Sequence, residues 1–148
     1  MSEHDFVRVI AHCAATGADR GVTRRHTDKD VERASNEFVT ATGAMRGGTD
    51  LWRIGRVDAE VVGVILPTAN DGGPVLNCIG VVPEHRGKGL VDDFLGETAR
   101  LQAEAGAQRV RADSDDDNVR MHAAFTRAGW RELGRRTSYR LDLHERTG

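Results

Sequence analysis

A short glycine-containing turn is the stretch with the clearest capacity for chemistry. Residues 83–91 read PEHRGKGLV, so that Arg86, Gly87, Lys88 and Gly89 directly precede an apolar helical pattern. Glycines at the point where a strand gives way to a helix let the backbone approach a ligand closely. The first amides of a helix lack intrahelical partners and lie at the positive end of its dipole. The turn therefore predicts an anion site, most often for phosphate, with an ordinary glycine-rich turn as the alternative.

An acidic run, residues 113–117, offers a second possible site because D-x-D-x-D opens a calcium-binding loop. The sixth position of such a loop should be Gly and is Asn118, and the twelfth should be Glu and is Ala124. We therefore reject calcium and expect no metal. The run predicts either a solvated acidic loop or an acidic lip that attracts a cationic substrate.

Two other constellations carry little weight. Ser114 and His122 lie near aspartates, but the G-x-S-x-G elbow of a hydrolase triad is missing and His122 is expected on a separate helix. The turn at Arg86 lacks the spacing and the Ser/Thr of a Walker A phosphate loop. Neither nucleophilic hydrolysis nor nucleotide hydrolysis is favoured.

Composition excludes several protein classes. The chain has 148 residues, a net charge of -2 and 39% hydrophobic residues, so it predicts one globular domain and no nucleic-acid partner. Cys13 and Cys78 lie far apart and are interpreted as small apolar residues in a reducing compartment. The start, MSEHDF, does not resemble a signal peptide, and the longest apolar run, residues 61–66, is too short to span a bilayer. We expect a cytoplasmic protein that does not bind membranes.

Helical spacing predicts two helices before any strand. Phe6, Ile10 and Cys13 recur on one face, with a stop at Gly17. A second helix opens at Thr27 and ends near Gly43, and its expected buried face carries Val31, Ala34 and Phe38.

The strands are expected to form a mixed sheet covered by helices, an α+β architecture. Residues 51–57 and 61–66 predict a hairpin, and residues 70–74 a loop. Residues 75–82 are mostly apolar and predict a central strand buried on both faces. After the glycine turn, the pattern predicts a helix to Gly106, a strand at 109–112, a helix at 118–128 and a final hairpin at 130–143.

Two motifs in this order resemble those of the GNAT superfamily, the acyl-CoA-dependent N-acyltransferases. The first is a strand ending V-x-P followed by R/Q-x-x-G-x-G/A, matched here by residues 81–83 and by Arg86, Gly89 and Val91. The second is an Asn that starts a helix ending in an aromatic and Gly-aromatic, matched by Asn118, Phe125, Gly129 and Trp130. The resemblance covers roughly residues 51–143. It implies a single domain, 1–148, with a helical N-terminal part (1–48) and a sheet bearing an acyl-CoA site (49–143).

The resemblance implies acetyl-CoA as co-substrate. Backbone amides from Arg86 through Val91 would bind its pyrophosphate, and the strand edge at Val81 and Val82 would pair with its pantetheine arm. Asn118 would hydrogen-bond that arm, and Phe125 would pack near the thioester. The implied coenzyme-binding residues are Val81, Val82, Arg86, Gly87, Lys88, Gly89, Leu90, Val91, Asn118 and Phe125.

Several residues depart from the family pattern. Val91 stands where the family has Gly or Ala, and the carboxylates of Asp92 and Asp93 follow where a phosphate would approach. Many relatives place a tyrosine at the position of Phe125, and a phenyl ring cannot donate a proton to the leaving thiolate. Two functions therefore stay open: N-acetyl transfer to an amine, or a non-catalytic acyl-CoA-sensing or interaction module.

Aminolysis of a thioester needs a neutral amine, and deprotonating an alkyl amine at pH 7 costs roughly 4–5 kcal/mol. Asn77 is a candidate for positioning a water, Asp113 for accepting the proton, and Tyr139, the sole tyrosine, for general acid. The amide of Val82 is the expected donor to the oxyanion. The acceptor is an amine, with a peptide N-terminus, an aminoglycoside and a polyamine all compatible.

The N-terminal part also departs from the family, whose members usually begin with a strand. We therefore expect the GNAT-like fold without its first strand, and an exposed edge at residues 51–57. Such an edge favours a homodimer. A resemblance to one half of a tandem acyltransferase is the alternative.

Overall fold

The computed structural model describes residues 2–14, 28–114, 118–133 and 138–143. Helices α1 (Glu3–Ala14) and α2 (Asp28–Gly43) come before the first strand. The later elements are β1 (Arg53–Val57), β2 (Glu60–Asn70), β3 (Gly73–Val81), a 3-10 turn (Pro83–His85), α3 (Leu90–Glu104), β4 (Arg109–Asp113), α4 (Val119–Arg127), β5 (Arg131–Glu132) and β6 (Ser138–Asp142). Within these ranges no helix is long and apolar enough to cross a membrane. The expectations for Gly17, Thr27 and residues 115–117 lie outside the described residues.

The strands form one mixed sheet, which confirms the predicted α+β class. The order is β1-β2-β3-β4-β6-β5, and every neighbouring pair is antiparallel except β3 and β4. The predicted central strand is confirmed as β3, and β1 lies at one edge. The first hairpin closes at Asp58 and Ala59, which both have positive φ, as a two-residue hairpin turn requires.

Helices cover both faces of the sheet and enclose two apolar cores. On one face, α1 and α2 pack against a cluster that contains Val64 and Leu66. On the other, α3 and α4 pack in the cluster that contains Ile65. Consecutive residues of β2 thus supply opposite cores, because side chains along a strand alternate between its faces.

Helix α3 packs close to the sheet, and this packing fixes the position of the glycine turn at its N-terminus. A side chain at Gly63 would clash with the ring of Phe94, so glycine permits the close approach. The buried side chain of Gln102 donates from Nε2 to the carbonyl oxygen of Thr68 at 3.1 Å. These contacts tie both ends of α3 to β2.

The buried face of α2 differs from the predicted one. Val31 is buried as expected, but its companions are Ser35, Val39 and Thr42, whereas Phe38 is 37% exposed. Hydropathy alone could not choose these positions, because a buried threonine is tolerated when its hydroxyl bonds to the preceding turn. Here Thr42 Oγ1 donates to the carbonyl oxygen of Phe38 at 2.7 Å.

Strand boundaries around the second hairpin also differ. Strand β2 runs beyond the predicted end at residue 66 to Asn70, and the predicted loop at 70–74 shrinks to a turn at Asp71 and Gly72. Strand β3 is not buried on both faces, since Asn77 is exposed and residues 78–80 are half-buried. The reason is that β3 diverges from β4 and leaves an open gap beside it.

Candidate functional site

The glycine turn opens α3 without a side-chain cap. Gly87 and Gly89 have φ of 80° and 79°, and Gly89 is the N-cap residue of α3. A Cβ built on either glycine would meet no atom within 4 Å, so it would point into open space. The first-turn amides of Leu90 and Val91 therefore face a cavity rather than a capping side chain, as an anion site requires.

Arg86 has a structural role that the sequence did not predict. Its amide lies 3.4 Å from the carbonyl oxygen of Pro83, and its guanidinium donates to the carbonyl oxygens of Val81 (3.1 Å) and Cys13 (2.7 Å). These bonds fasten the turn to the end of α1, so the available amides begin at Gly87. Arg86 therefore shapes the glycine turn through these backbone contacts.

A basic residue that the sequence analysis missed lies at the same end. Arg127 Nη2 of α4 is 2.9 Å from Asp92 Oδ1 in the first turn of α3, and both residues line the cavity. The Arg127 charge offsets the Asp92 carboxylate, which by itself would repel an anion at this end of the cleft. The only sequence signal was a cation in the last turn of a helix, and no local pattern joins it to a partner 35 residues away.

The gap between β3 and β4 begins immediately after the residue pair that joins the two strands. That pair is Val75 and Arg111, and beyond it the parallel strands separate. On the other side of β3, Pro67 faces Leu76 while Ile65 faces Ile79, so β3 has one more residue between these pairs than β2 has. This β-bulge at residues 77–78 bends the strand at the mouth of the gap.

The hydrogen bonds between β2 and β3 rule out the predicted oxyanion donor, the Val82 amide. The Val82 amide donates to the carbonyl oxygen of Val62 at 2.9 Å, so it is already used within the sheet. Hydrogen-bonded pairs alternate along an antiparallel ladder. The amides of Ile79 and Val81 therefore point away from β2 and into the gap. The Ile79 amide, next to the bulge, therefore faces the gap, whereas the Val82 amide does not.

One cleft of about 920 Å³ joins the glycine turn to this gap. The predicted residues that line it are Asn77, Val81, Arg86, Gly87, Gly89, Leu90, Val91, Asp113, Asn118 and Phe125. Val82, Lys88 and Tyr139 are absent from the lining. The fold thus brings together residues from β3, the turn, the end of β4 and α4.

Asn118 and Phe125 place α4 along the cleft. Asn118 is the N-cap residue, and its Oδ1 accepts from the Met121 amide at 3.3 Å, as the motif predicts for a helix start. Phe125 is only 1% exposed, although it lines the cleft. Its ring stacks on Tyr139 with centroids 4.6 Å apart and lies 4.9 Å from Trp130. Phe125 is therefore part of both the cleft wall and the core.

Tyr139 lies behind Phe125 rather than in the cleft. It is 3% exposed, and its hydroxyl is hydrogen-bonded to His122 Nδ1. Burial raises the pKa of the Tyr139 phenol, with a further contribution from Glu132. A phenol with a raised pKa and a partner outside the cleft is poorly placed to protonate a leaving group.

The two remaining candidates lie at the gap end of the cleft. Asn77 Nδ2 donates to Thr42 Oγ1 at 2.9 Å. Asp113 is exposed, and its Oδ1 accepts from Ser138 Oγ at 2.6 Å. Asp113 thus combines a cleft position with access to solvent, as a proton acceptor needs.

Cys13 lines the cleft but is not suited to nucleophilic chemistry. Burial raises the pKa of its thiol to about 11, although the Arg86 charge acts in the opposite direction. Only the thiolate is a good nucleophile, and it is scarce at neutral pH. Cys13 is better described as part of the apolar floor under β3.

Among solved structures, similar folds occur in several acetyltransferases. A Desulfovibrio desulfuricans protein assigned to the GNAT-family acetyltransferases matches with a TM-score of 0.67 and 16% identity, over 94% of this chain and 93% of its own. PaiA N-acetyltransferase from Thermoplasma acidophilum, in complex with coenzyme A, matches with a TM-score of 0.68 and 13% identity, over 96% and 95%. The chain has the GNAT fold.

A third similar structure, YncA from Salmonella typhimurium, was solved with acetyl-CoA and is assigned as an acetyltransferase. It has a TM-score of 0.65 and 16% identity, over 97% of this chain and 91% of its own. No family model and no curated protein matches the chain. Identities this low relate the proteins by their GNAT fold, so the chemistry has to be argued from the cleft.

Proposed function

We propose that the protein is an N-acetyltransferase that moves an acetyl group from acetyl-CoA to an amine. The observation that carries this proposal is the single cleft that runs from unpaired helix amides at the glycine turn to the gap between β3 and β4. Acetyl-CoA has a matching layout, with a diphosphate at one end, an amide-containing arm and a thioester at the other end. The GNAT fold of acetyltransferases solved with coenzyme A or acetyl-CoA supports the same assignment.

The coenzyme end of the cleft is assigned to backbone groups. Amides from Gly87 through Val91 bind the diphosphate, since the open space above both glycines leaves room for it. The amide of Val81 pairs with the pantetheine arm as an added strand would, which leaves the Ile79 amide for the thioester end. Phe125 packs against the arm near the thioester and excludes water.

Direct attack is the simplest reaction for this arrangement. The amine nitrogen forms a bond to the acetyl carbon, the carbon–sulfur bond breaks, and the electron pair leaves on sulfur. The Ile79 amide stabilises the oxyanion, while Asp113, directly or through a water, takes the proton that the amine loses. The thiolate needs no phenol, because a thiol pKa near 8.5 lets it leave and collect a proton from solvent.

A second function is favoured by one specific observation. Phe125 cannot protonate the leaving group, and the hydroxyl of Tyr139 is bonded to His122 behind the cleft wall. A cleft that binds acetyl-CoA without such an acid also suits a sensing or interaction module. That function requires tight binding with no acetyl transfer.

The two functions are separated by following thiol release. The protein is incubated with acetyl-CoA and spermidine, neomycin or a short peptide with a free N-terminus, and free thiol is measured with time. Acetyl transfer predicts amine-dependent thiol release and an acetylated amine by mass spectrometry. Calorimetric binding of acetyl-CoA with no thiol release from any amine would support the sensing module instead.

A further inference from the structure

The orientation of the Asn77 side chain follows from a chain of hydrogen bonds on α2. Thr42 Oγ1 donates its single proton to the carbonyl oxygen of Phe38, at 2.7 Å. The same oxygen lies 2.9 Å from the Asn77 amide. Because a hydroxyl has one proton, Thr42 can only accept from Asn77. The NH₂ group of Asn77 must therefore face Thr42, and the hydrogen-bond network settles the choice between the two amide orientations.

The β-bulge is what brings Asn77 into reach of α2. Leu76 belongs to the core under α3, whereas Cys78 packs against the core under α1 and α2. The extra residue at positions 77–78 directs Asn77 toward that same α2 side, where Thr42 is 1% exposed. Asn77 itself remains exposed and lines the cleft.

We propose that Thr42 is a positioning residue that turns the Asn77 carbonyl oxygen toward the acceptor amine. This inference rests on the proposed amine acetylation and deepens it. Because one Nδ2 proton is donated to Thr42, the orientation of the Asn77 amide is fixed and Oδ1, which only accepts hydrogen bonds, is turned away from Thr42. Asn77 therefore accepts an N–H of the acceptor, or a proton of a water, through Oδ1.

The chemistry of the acceptor follows from this orientation. A primary amine has two N–H donors, so one can stay bonded to Oδ1 while the other proton is lost, whereas an alcohol or a secondary amine has a single proton that it must lose on attack. Holding one N–H of the amine leaves the nitrogen lone pair free to be aimed at the acetyl carbon. The site thus selects primary amines over hydroxyl acceptors without using a charge.

The test compares two buried threonines that make the same kind of hydrogen bond within a helix. Thr42 and Thr98 both donate to the carbonyl four residues earlier in a helix, and both are at most 1% exposed. Thr98 Oγ1 has Phe94 as its recorded partner, and Thr98 does not line the cleft. Thr42→Val and Thr98→Val therefore lose the same helix bond, but only Thr42→Val also releases Asn77.

We expect Thr42→Val to lower kcat/KM for the best amine of the panel about tenfold, mainly through KM, with an unchanged Kd for acetyl-CoA. Thr42→Ser should restore most of the loss, and Thr98→Val should leave both constants near wild type. Equal effects of Thr42→Val and Thr98→Val on the amine KM would overturn the inference.

A second measurement does not depend on turnover. In ¹⁵N-edited NMR, one Asn77 side-chain proton should be shifted downfield in the wild type and in Thr42→Ser, and should lose that shift in Thr42→Val. An Asn77 signal insensitive to Thr42→Val would overturn the inference even if amines are acetylated. If no amine is acetylated, the proposed function fails, whereas the Asn77 signal still decides the orientation.

Discussion

The two ends of the cleft are built from different parts of the chain. The proposed coenzyme end has backbone amides on one continuous segment, from Gly87 to Val91, with glycine conformations that open the space above them. The proposed acceptor end has side chains from distant segments, with Asn77 on β3 bonded to Thr42 on α2 and Asp113 supplied by β4. One end is a local motif, and the other exists only after the sheet and helices assemble.

This difference determines which substitutions each end tolerates. A backbone site is insensitive to most side-chain changes but is lost when the backbone conformation or the open space is lost. A side-chain site can be weakened by a single buried hydroxyl that never touches the substrate, as proposed for Thr42.

The largest effect is expected at the coenzyme end, for Gly89→Leu. A leucine would strain the left-handed conformation and fill the space in front of the helix amides. We expect acetyl-CoA binding, measured by calorimetry, to fall at least a hundredfold while the protein remains folded.

Gly106→Leu is a matched control for this variant. Gly106 follows the other end of α3 with φ of 92°, and a Cβ there also meets nothing within 4 Å. It should show a similar loss of thermal stability with wild-type affinity. Wild-type affinity in Gly89→Leu would remove the phosphate site from the proposal.

Phe125 tests whether the coenzyme end needs a side chain at all. Phe125→Ala removes a ring that packs on Tyr139 and Trp130, so it should cost about 3–5 kcal/mol of unfolding free energy. It should also raise the KM for acetyl-CoA roughly tenfold, which corresponds to losing about 1.4 kcal/mol of contact with the pantetheine arm.

Phe125→Tyr separates packing from proton donation at the same position. We expect a change in kcat below tenfold, because the thiolate can leave unassisted. A hundredfold rise in kcat would instead identify protonation of the leaving group as the missing step, and would favour the sensing module as the natural function.

Asp92 tests how much electrostatics contributes to acetyl-CoA binding at the coenzyme end of the cleft. Its ion pair with Arg127 is between half-exposed groups, and such pairs are weak enough to be exchanged for a phosphate. Asp92→Asn should tighten acetyl-CoA binding about threefold at low salt, with a smaller gain at 0.5 M salt because of screening. Asp93→Asn changes the net charge equally from an exposed position outside the cleft lining, and it should have less effect. Equal effects of Asp92→Asn and Asp93→Asn would show that net charge alone explains the change in affinity for acetyl-CoA.

The smallest effect on the cleft is expected from self-association. Strand β1 is an edge strand, and Val57 on it is 44% exposed, so we propose that two copies pair through this edge. Sedimentation at micromolar concentrations should give twice the 16.2 kDa chain mass, with Val57→Lys shifting the population to single chains. Val119→Lys, at a more exposed position on α4, is the control. A single-chain mass for the wild type would contradict the proposal.

Local features of the site were predictable because they depend on neighbouring residues. The glycine turn, the central strand β3 and the Asn118 helix start are all set by short-range conformational preferences. The resemblance to the GNAT motifs, and not a local preference, identified Val91, Asp92 and Phe125 as departures from that pattern. Boundaries such as the end of β2 were less accurate, since pairing with β3 extends the strand beyond its apolar run.

The sequence by itself determined the backbone of the coenzyme end, because glycine conformations and helix amides need no distant partner. Only the tertiary structure decided how the polar groups are used. The Val82 amide is taken by Val62, the Arg86 side chain by backbone carbonyls and the Tyr139 hydroxyl by His122. Only the structure could also join Arg127 to Asp92 and Thr42 to Asn77. The physical reason is that a buried or partly buried polar group bonds to the nearest available partner in space, and that partner is fixed by the packing of the sheet and helices.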